Sequence, residues 1–378
     1  MSQHIVIIGS GLAGYSIAKE FRNLNQHANI TLITADRGDY YSKPQLSTAL
    51  AMGKTAEDLL MNSANEMAEK YALDLHVECC VIGIEREQQK VIAAGFECHY
   101  DQLVLALGAN KLSVPLDGNG AHDVCSVNTL EEYESFRRWL VNKKRIAILG
   151  SGLVGCEIAN DLVSAGYKVD VIAPDHYPLQ RFVPEKIGRV LQNALTQEGV
   201  TWHFCRFATE VNKVDSGYQL LFNDMTVLDT DGVFTAIGLH PATQLAESSG
   251  LAVERGIVTD NFLQTSDPKI YALGDCAEVA GEVRLHIAPL LACARALAKT
   301  LNGEPTEVAY PPLPIIAKLP ACPINTCLPA MDTGGKWQFE GDAPNIEGRF
   351  IDAAGELQGF VLTGNTLRRR AELIKHIK

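Results

Sequence analysis

IVIIGSGLAGYSIA (residues 5–18) and IAILGSGLVGCEIA (146–159) are one segment written twice, nine of fourteen positions being identical at an offset of 141. Each copy is a short apolar run, a glycine-rich turn, and a stretch with apolar residues at helical spacing. A second apolar run ending in an acid follows each copy, ITLITAD (30–36) and VDVIAPD (169–175). This pattern predicts a strand, a tight turn, a helix and a parallel strand, twice over. In each GxGxxG turn the glycines have separate tasks. Gly9 and Gly150 permit the sharp bend, Gly11 and Gly152 let the backbone approach a pyrophosphate, and Gly14 and Gly155 allow close helix–strand packing. The helix that follows offers free N–H groups and a positive dipole end to phosphates.

The duplication runs on. VECCVIGI, KVIAAG and YDQLVLALGA (77–109), expected as short strands separated by polar turns, follow the first copy, and HFCRFATEV, YQLLFND and TDGVFTAIG (203–238), expected likewise, follow the second. Both halves close on a buried strand ending in glycine. Past residue 241 no third unit starts. A helix-like stretch from Pro289 to Leu301 precedes a proline-rich linker (310–323) and a last segment with strand-like runs and a basic end. The expected fold class is α/β: two Rossmann-like, doubly wound domains plus a small α+β C-terminal domain. The expected boundaries are 1–112 with 242–312, then 113–241, then 313–378.

Composition narrows the function. A 378-residue chain with 47% hydrophobic and 21% charged residues is an ordinary globular protein of two or three domains. Its net charge of −12 argues against nucleic acid, which would be repelled. No apolar run approaches the ~18 residues of a membrane span, and MSQHIVIIGSG lacks the form of a signal peptide. Ten cysteines without an export signal read as reduced thiols, which places the chain in the cytoplasm.

Two glycine turns imply two dinucleotides, as an FAD- and NAD(P)-dependent reductase requires. The first turn (Gly9, Ser10, Gly11, Leu12, Ala13, Gly14) is assigned to FAD. The second (Gly150, Gly152, Leu153, Val154, Gly155), with Ala236 and Gly238 at the close of its half, is assigned to the nicotinamide cofactor. The position that usually holds the ribose-binding acid is Thr34 in one copy and Ala173 in the other. Asp36 and Asp175 lie two residues further on, beyond Ala35 and Pro174, and either serve the ribose or cap a turn. No arginine follows the second strand until Arg181, which favours NADH over NADPH.

TSDPKIYALGDCA (265–277) resembles the second FAD fingerprint of the pyridine-nucleotide flavoprotein reductases, in which the aspartate, here Asp275, binds the ribityl chain. YYSKPQLST (40–48), LGSGLVGCEIANDL (149–162), GDCAEV (274–279) and AKLPACP (317–323) together are similar to rubredoxin reductases, with flavorubredoxin reductases as near relatives. The resemblance implies that Lys43 lies against the flavin, where a cation favours the reduced ring; a surface lysine is the plainer alternative. It implies that the Val81 backbone meets the adenine and that Lys318 reaches the flavin from the other side. Glu157 matches a glutamate near nicotinamide and flavin, although an acid near a helix N-terminus is also favoured by the dipole. The helix expected from Pro289, with Ile287 just ahead of it, directs its N-terminus at the flavin.

The electron acceptor follows partly from what is missing. Residues 37–60 hold no cysteine, Cys79 and Cys80 are adjacent and bridge poorly, and Cys322 and Cys327 lack the usual neighbours of a catalytic CxxxxC. No iron–sulfur or zinc set is present, so no metal is expected. Electrons therefore leave from the flavin, and the resemblance implies rubredoxin as acceptor, in supply of alkane hydroxylation. Flavorubredoxin, a ferredoxin, oxygen, or a slow NADH-sensing role resembling apoptosis-inducing factor are the alternatives.

Overall fold

The computed structural model describes residues 3–312, 314–330 and 332–377. Leu313, where the expected C-terminal domain begins, and Lys378, the last cation of the basic end, lie outside the described residues. The elements that carry the argument are β1 (His4–Ile8), α1 (Leu12–Leu24), β2 (Asn29–Ile33), β3 (Asp74–His76), β4 (Gln102–Leu105), β5 (Arg145–Leu149), α2 (Leu153–Ser164), β6 (Lys168–Ala173), β7 (Val200–Phe204), β8 (Gly232–Thr235), β9 (Ile270–Ala272) and α3 (Ile287–Leu301).

The chain divides into two compact units, Met1–Ser42, Leu60–Lys111 and Leu239–Pro311 in one, Lys43–Leu59, Leu112–Gly238 and Pro312–Lys378 in the other. In the first unit a parallel sheet runs in the order β9-β4-β1-β2-β3. Its strands are continuous apolar runs because both faces are covered, which is why IVII, LVL and IYA lack the alternation of a half-exposed strand. Helix α1 buries Gly14, Ile17, Ala18 and Phe21, the three-and-four spacing of one helical face.

The second unit repeats the plan with a parallel sheet in the order β7-β6-β5-β8. Each unit also carries a three-stranded antiparallel meander, 81–99 in the first and 208–230 in the second. The second unit further contains a five-stranded antiparallel sheet from residues 315–363, ending in a short helix at Arg370–Ile374.

Three local expectations are corrected. HFCRFATEV is not one strand: β7 ends at Phe204 and the meander begins at Ala208. Cys205 takes a left-handed φ of 58°, which turns the chain out of the sheet between them. Helix α3 begins at Ile287, so Pro289 is its third residue; first-turn N–H groups have no intrahelical acceptor, and proline loses nothing there. Finally, residues 43–59, expected with the first unit, belong to the second. Leu50 N and Ala51 N donate to Asp161 at 2.7 and 3.0 Å, and Tyr133 Oη donates to Lys54 O at 3.0 Å.

Candidate functional site

In the first unit the GSGLAG turn sits at the carboxyl end of β1, between β2 and β4, where the strand order reverses and open α/β sheets bind ligands. Gly9 has φ 107°, and a Cβ there would stand 2.3 Å from Ala106 O. A Cβ on Gly14 would stand 1.8 Å from Gly9 O, so helix and turn touch backbone to backbone. At Gly11 a Cβ would meet nothing within 4 Å: this glycine faces open space. No side chain caps α1, and its first turn holds no acid. An N-terminus left in that state suits an anion such as the FAD pyrophosphate. The GDC turn packs onto the same place, Gly274 lying so close to Ala13 that a Cβ would stand 2.9 Å from the Ala13 Cβ. Asp275, partly buried, is thereby brought beside the first fingerprint.

Asp36 is exposed, and its Oδ1 accepts from Ser10 Oγ at 2.7 Å, Thr34 Oγ1 at 2.7 Å and Gly38 N at 2.9 Å. The carboxylate thus ties the glycine turn to the end of β2. Ala35 is exposed beside it, Val81 opens the first meander strand, and Ile287 is the exposed first residue of α3.

The second unit copies this construction. Gly150 has φ 112°, with a would-be Cβ 2.6 Å from Ala236 O, and a would-be Cβ on Gly155 would stand 2.2 Å from Gly150 O. Gly152 again faces open space, and α2 is uncapped and free of first-turn acids. Ser151 Oγ donates to Asp175 Oδ2 at 2.8 Å, the counterpart of the Ser10–Asp36 bond. Leu153 and the exposed Val154 are the first two residues of α2, and Ala236 and Gly238 follow β8. A cavity of about 350 Å³ opens here, bounded by Leu149, Gly150, Ile172, Pro174, Arg206 and Ile237 among others. That volume is in the range of small-ligand sites.

Lys43, Glu157 and Lys318, far apart in sequence, all lie in this unit. Glu157 is the fifth residue of α2, past the turn that the dipole favours, and is buried. Its carboxylate accepts from Ser47 Oγ at 2.5 Å and Lys318 N at 2.9 Å. Burial raises its pKa above the ordinary carboxylate range, against the pull of these two donors and the Lys318 charge. Lys318 Nζ reaches Pro44 O at 3.4 Å, next to the exposed Lys43. One turn along the same face, Asn160 Oδ1 accepts from Ala321 N at 3.1 Å and Asp161 holds Leu50 and Ala51. Helix α2 therefore carries the nucleotide turn at its start and, through Glu157, Asn160 and Asp161, clamps residues 47–51 and 318–321.

Ser47, Asn160, Asp161 and Arg206 were not singled out from the sequence. A signal for the helix residues exists: polar groups at i, i+3 and i+4 on a helix otherwise apolar all round. For Ser47 and Arg206 no local signal exists, since their partners are distant in sequence. All ten cysteines are free, and burial pushes the Cys322 thiol up to about 11. No group of His, Cys, Asp and Glu able to hold a metal ion occurs among the described residues. No helix among them is long and apolar enough to cross a membrane.

These features define a two-dinucleotide flavoprotein oxidoreductase of the doubly wound class. The chain belongs to the pyridine nucleotide-disulphide oxidoreductase family, whose model matches residues 3–296, and a rubredoxin binding C-terminal domain matches residues 307–377. It is 42% identical over 99% of its length to the rubredoxin-NAD(+) reductase of Alcanivorax borkumensis, covering 98% of that protein. It is 35% identical to the nitric oxide reductase FlRd-NAD(+) reductase of Aliivibrio fischeri, covering 100% of this chain and 99% of that one. Among solved structures, the ferredoxin reductase for the CYP199A2 system from Rhodopseudomonas palustris superposes with a TM-score of 0.88 at 25% identity. The match covers 96% of this chain and 91% of that one.

Proposed function

We propose that this chain is an FAD-dependent NADH:rubredoxin oxidoreductase. The observation that carries the reading is the pair of open glycine turns, one per unit, in a chain whose C-terminal residues match a rubredoxin binding domain. FAD, when bound, supplies hydride acceptance from NADH and release of single electrons to the carrier. The protein's part is to hold and orient.

Gly11 and the N-terminus of α1 hold the FAD pyrophosphate, and Asp275 accepts from its ribityl hydroxyls. Gly152 and the N-terminus of α2 do the same for the NADH pyrophosphate, with Ala236 and Gly238 on either side of Ile237 in the cavity wall. Lys43 and Lys318 supply cationic charge at the 44–47 segment, and Glu157 fixes that segment to α2. The division into FAD-binding, NADH-binding and C-terminal parts belongs to the same reading. So does a cytoplasmic location, which ten free cysteines support. Supply of electrons to alkane hydroxylation is the role that follows for the reduced rubredoxin.

A second acceptor, flavorubredoxin, is favoured by the likeness to FlRd-NAD(+) reductases. Rapid mixing of the yellow holoenzyme with NADH, then with purified rubredoxin or flavorubredoxin, tests both. Fast bleaching followed by fast reoxidation by rubredoxin is expected. Fast reoxidation by flavorubredoxin alone selects the second acceptor, and slow bleaching with a lasting charge-transfer band selects a sensor. Release of FMN instead of FAD on boiling overturns the reading altogether.

A further inference from the structure

We propose that Arg206 and Asp224 together decide which dinucleotide the second unit accepts, Asp224 holding Arg206 in a neutral pair that admits a 2′-hydroxyl and rejects a 2′-phosphate. The inference rests on the reading that the 350 Å³ cavity takes the adenosine half of NADH.

The end of β6 is where a doubly wound domain senses the ribose 2′ position, and there this chain has Ala173, with neither a carboxylate nor an arginine. A cation nevertheless stands at that place. The left-handed turn at Cys205 folds the chain after β7 back onto β6: Arg206 N donates to Ala173 O and Cys205 N to Asp175 O, both at 3.1 Å. Arg206 then lines the cavity together with Gly150 and Pro174. Its guanidinium lies over the Phe222 ring, 5.9 Å from the centroid, and its Nε is 2.7 Å from Asp224 Oδ2. A guanidinium at this position is a natural phosphate ligand, because its planar fork matches two phosphate oxygens. Here its charge is matched by Asp224, and two further carboxylates add negative charge: the exposed Asp117 on the cavity wall, and Asp175 next to Pro174, which Ser151 Oγ holds at 2.8 Å. A 2′-phosphate thus meets no net attraction, although the arginine needed to bind it is already in place. Selectivity of this kind comes from an element that penalises the competitor.

The test is calorimetric binding of NAD+ and NADP+ to oxidised holoenzyme. Wild type binds NAD+ the more tightly. Asp224→Asn is expected to tighten NADP+ by about ten-fold, the scale of one charge-assisted contact, while NAD+ changes by less than about three-fold. The double variant Asp224→Asn with Arg206→Gln is expected to return to the wild-type ratio. An unchanged ratio in Asp224→Asn, or a gain that persists in the double variant, overturns the proposal. Thr209→Trp, on the cavity wall, separates the two levels. It is expected to weaken both nucleotides, and if a folded Thr209→Trp protein binds both normally, the cavity assignment is what fails.

Discussion

Glu157 is a carboxyl that the fold holds away from water while supplying it with two donors, Ser47 Oγ and Lys318 N. Burial keeps its pKa above the ordinary carboxylate range. The folded chain therefore binds its proton more readily than the unfolded chain does. Its contribution to stability is complete below the ordinary range and is lost as pH rises through the raised value. Glu157→Gln keeps an acceptor for Lys318 N and can donate to Ser47, so both bonds survive without the charge. Its melting temperature is expected to exceed that of wild type at pH 8, with the difference closing below about pH 4. Asp161 is raised for the same reason and remains, so the pH slope is reduced rather than abolished. Glu157→Ala should instead destabilise below about pH 4, since Lys318 N is left without its acceptor at a cost of about 1–3 kcal/mol, while Ser47 Oγ keeps Pro44 O at 3.3 Å. Melting curves of the two variants across pH check both statements.

At the scale of the element, the glycine turns separate ligand binding from folding. Gly11 and Gly152 face open space, whereas Gly14 and Gly155 press on the backbone of their own turns. Gly11→Ala is expected to melt within a few degrees of wild-type apoprotein and to purify with much less FAD. Gly14→Ala places a Cβ 1.8 Å from Gly9 O, forcing α1 off β1, and an overpacked site of this sort costs about 1–3 kcal/mol or more. Absorbance of bound flavin and the apoprotein melting temperature distinguish the two effects. Equal stability losses in both variants would show that the open face of Gly11 is not where the ligand sits. The C-terminal basic run divides in a similar way. Arg369 bonds both oxygens of buried Glu347 at 2.8 and 2.7 Å and Glu372 at 2.9 Å, so it belongs to the architecture of that segment. Arg368, Arg370 and Lys375 are exposed.

At the scale of the molecule, a net charge of −12 opposes association with any carrier that is itself acidic. A local cationic surface has to overcome that, and Arg368 and Arg370 lie in the segment matching the rubredoxin binding domain. Arg368→Glu with Arg370→Glu is expected to raise the KM for rubredoxin several-fold and leave hydride transfer from NADH unchanged. Salt should weaken carrier binding in wild type more than in the variant, because exposed charges are screened beyond roughly 10 Å at 0.1 M. Steady-state assays at low and high salt decide it, and an unchanged KM moves the docking surface elsewhere. Arg369→Glu is unsuited to the purpose, since it leaves Glu347 buried opposite a like charge.

The repeated core of each half depends on residues close in the chain and could be read from the sequence. The two strand–turn–helix units follow from apolar runs and from glycines whose backbone geometry is local: a bend at Gly9, an approach at Gly11, a contact at Gly14. Asp275 and the C-terminal family segment were legible as motifs. What required the tertiary structure were pairings between residues more than a hundred positions apart, Ser47 with Glu157 and Glu157 with Lys318, because sequence distance says nothing about which segments a helix face will bury against. Arg206 shows the same limit on a smaller scale. Read as part of the strand-like run HFCRFATEV, it had no role, and a single left-handed residue at 205 turned it to the carboxyl end of the sheet. Parallel strands gather their carboxyl ends at one edge whatever their order in the chain, and that edge decides which side chains share a site.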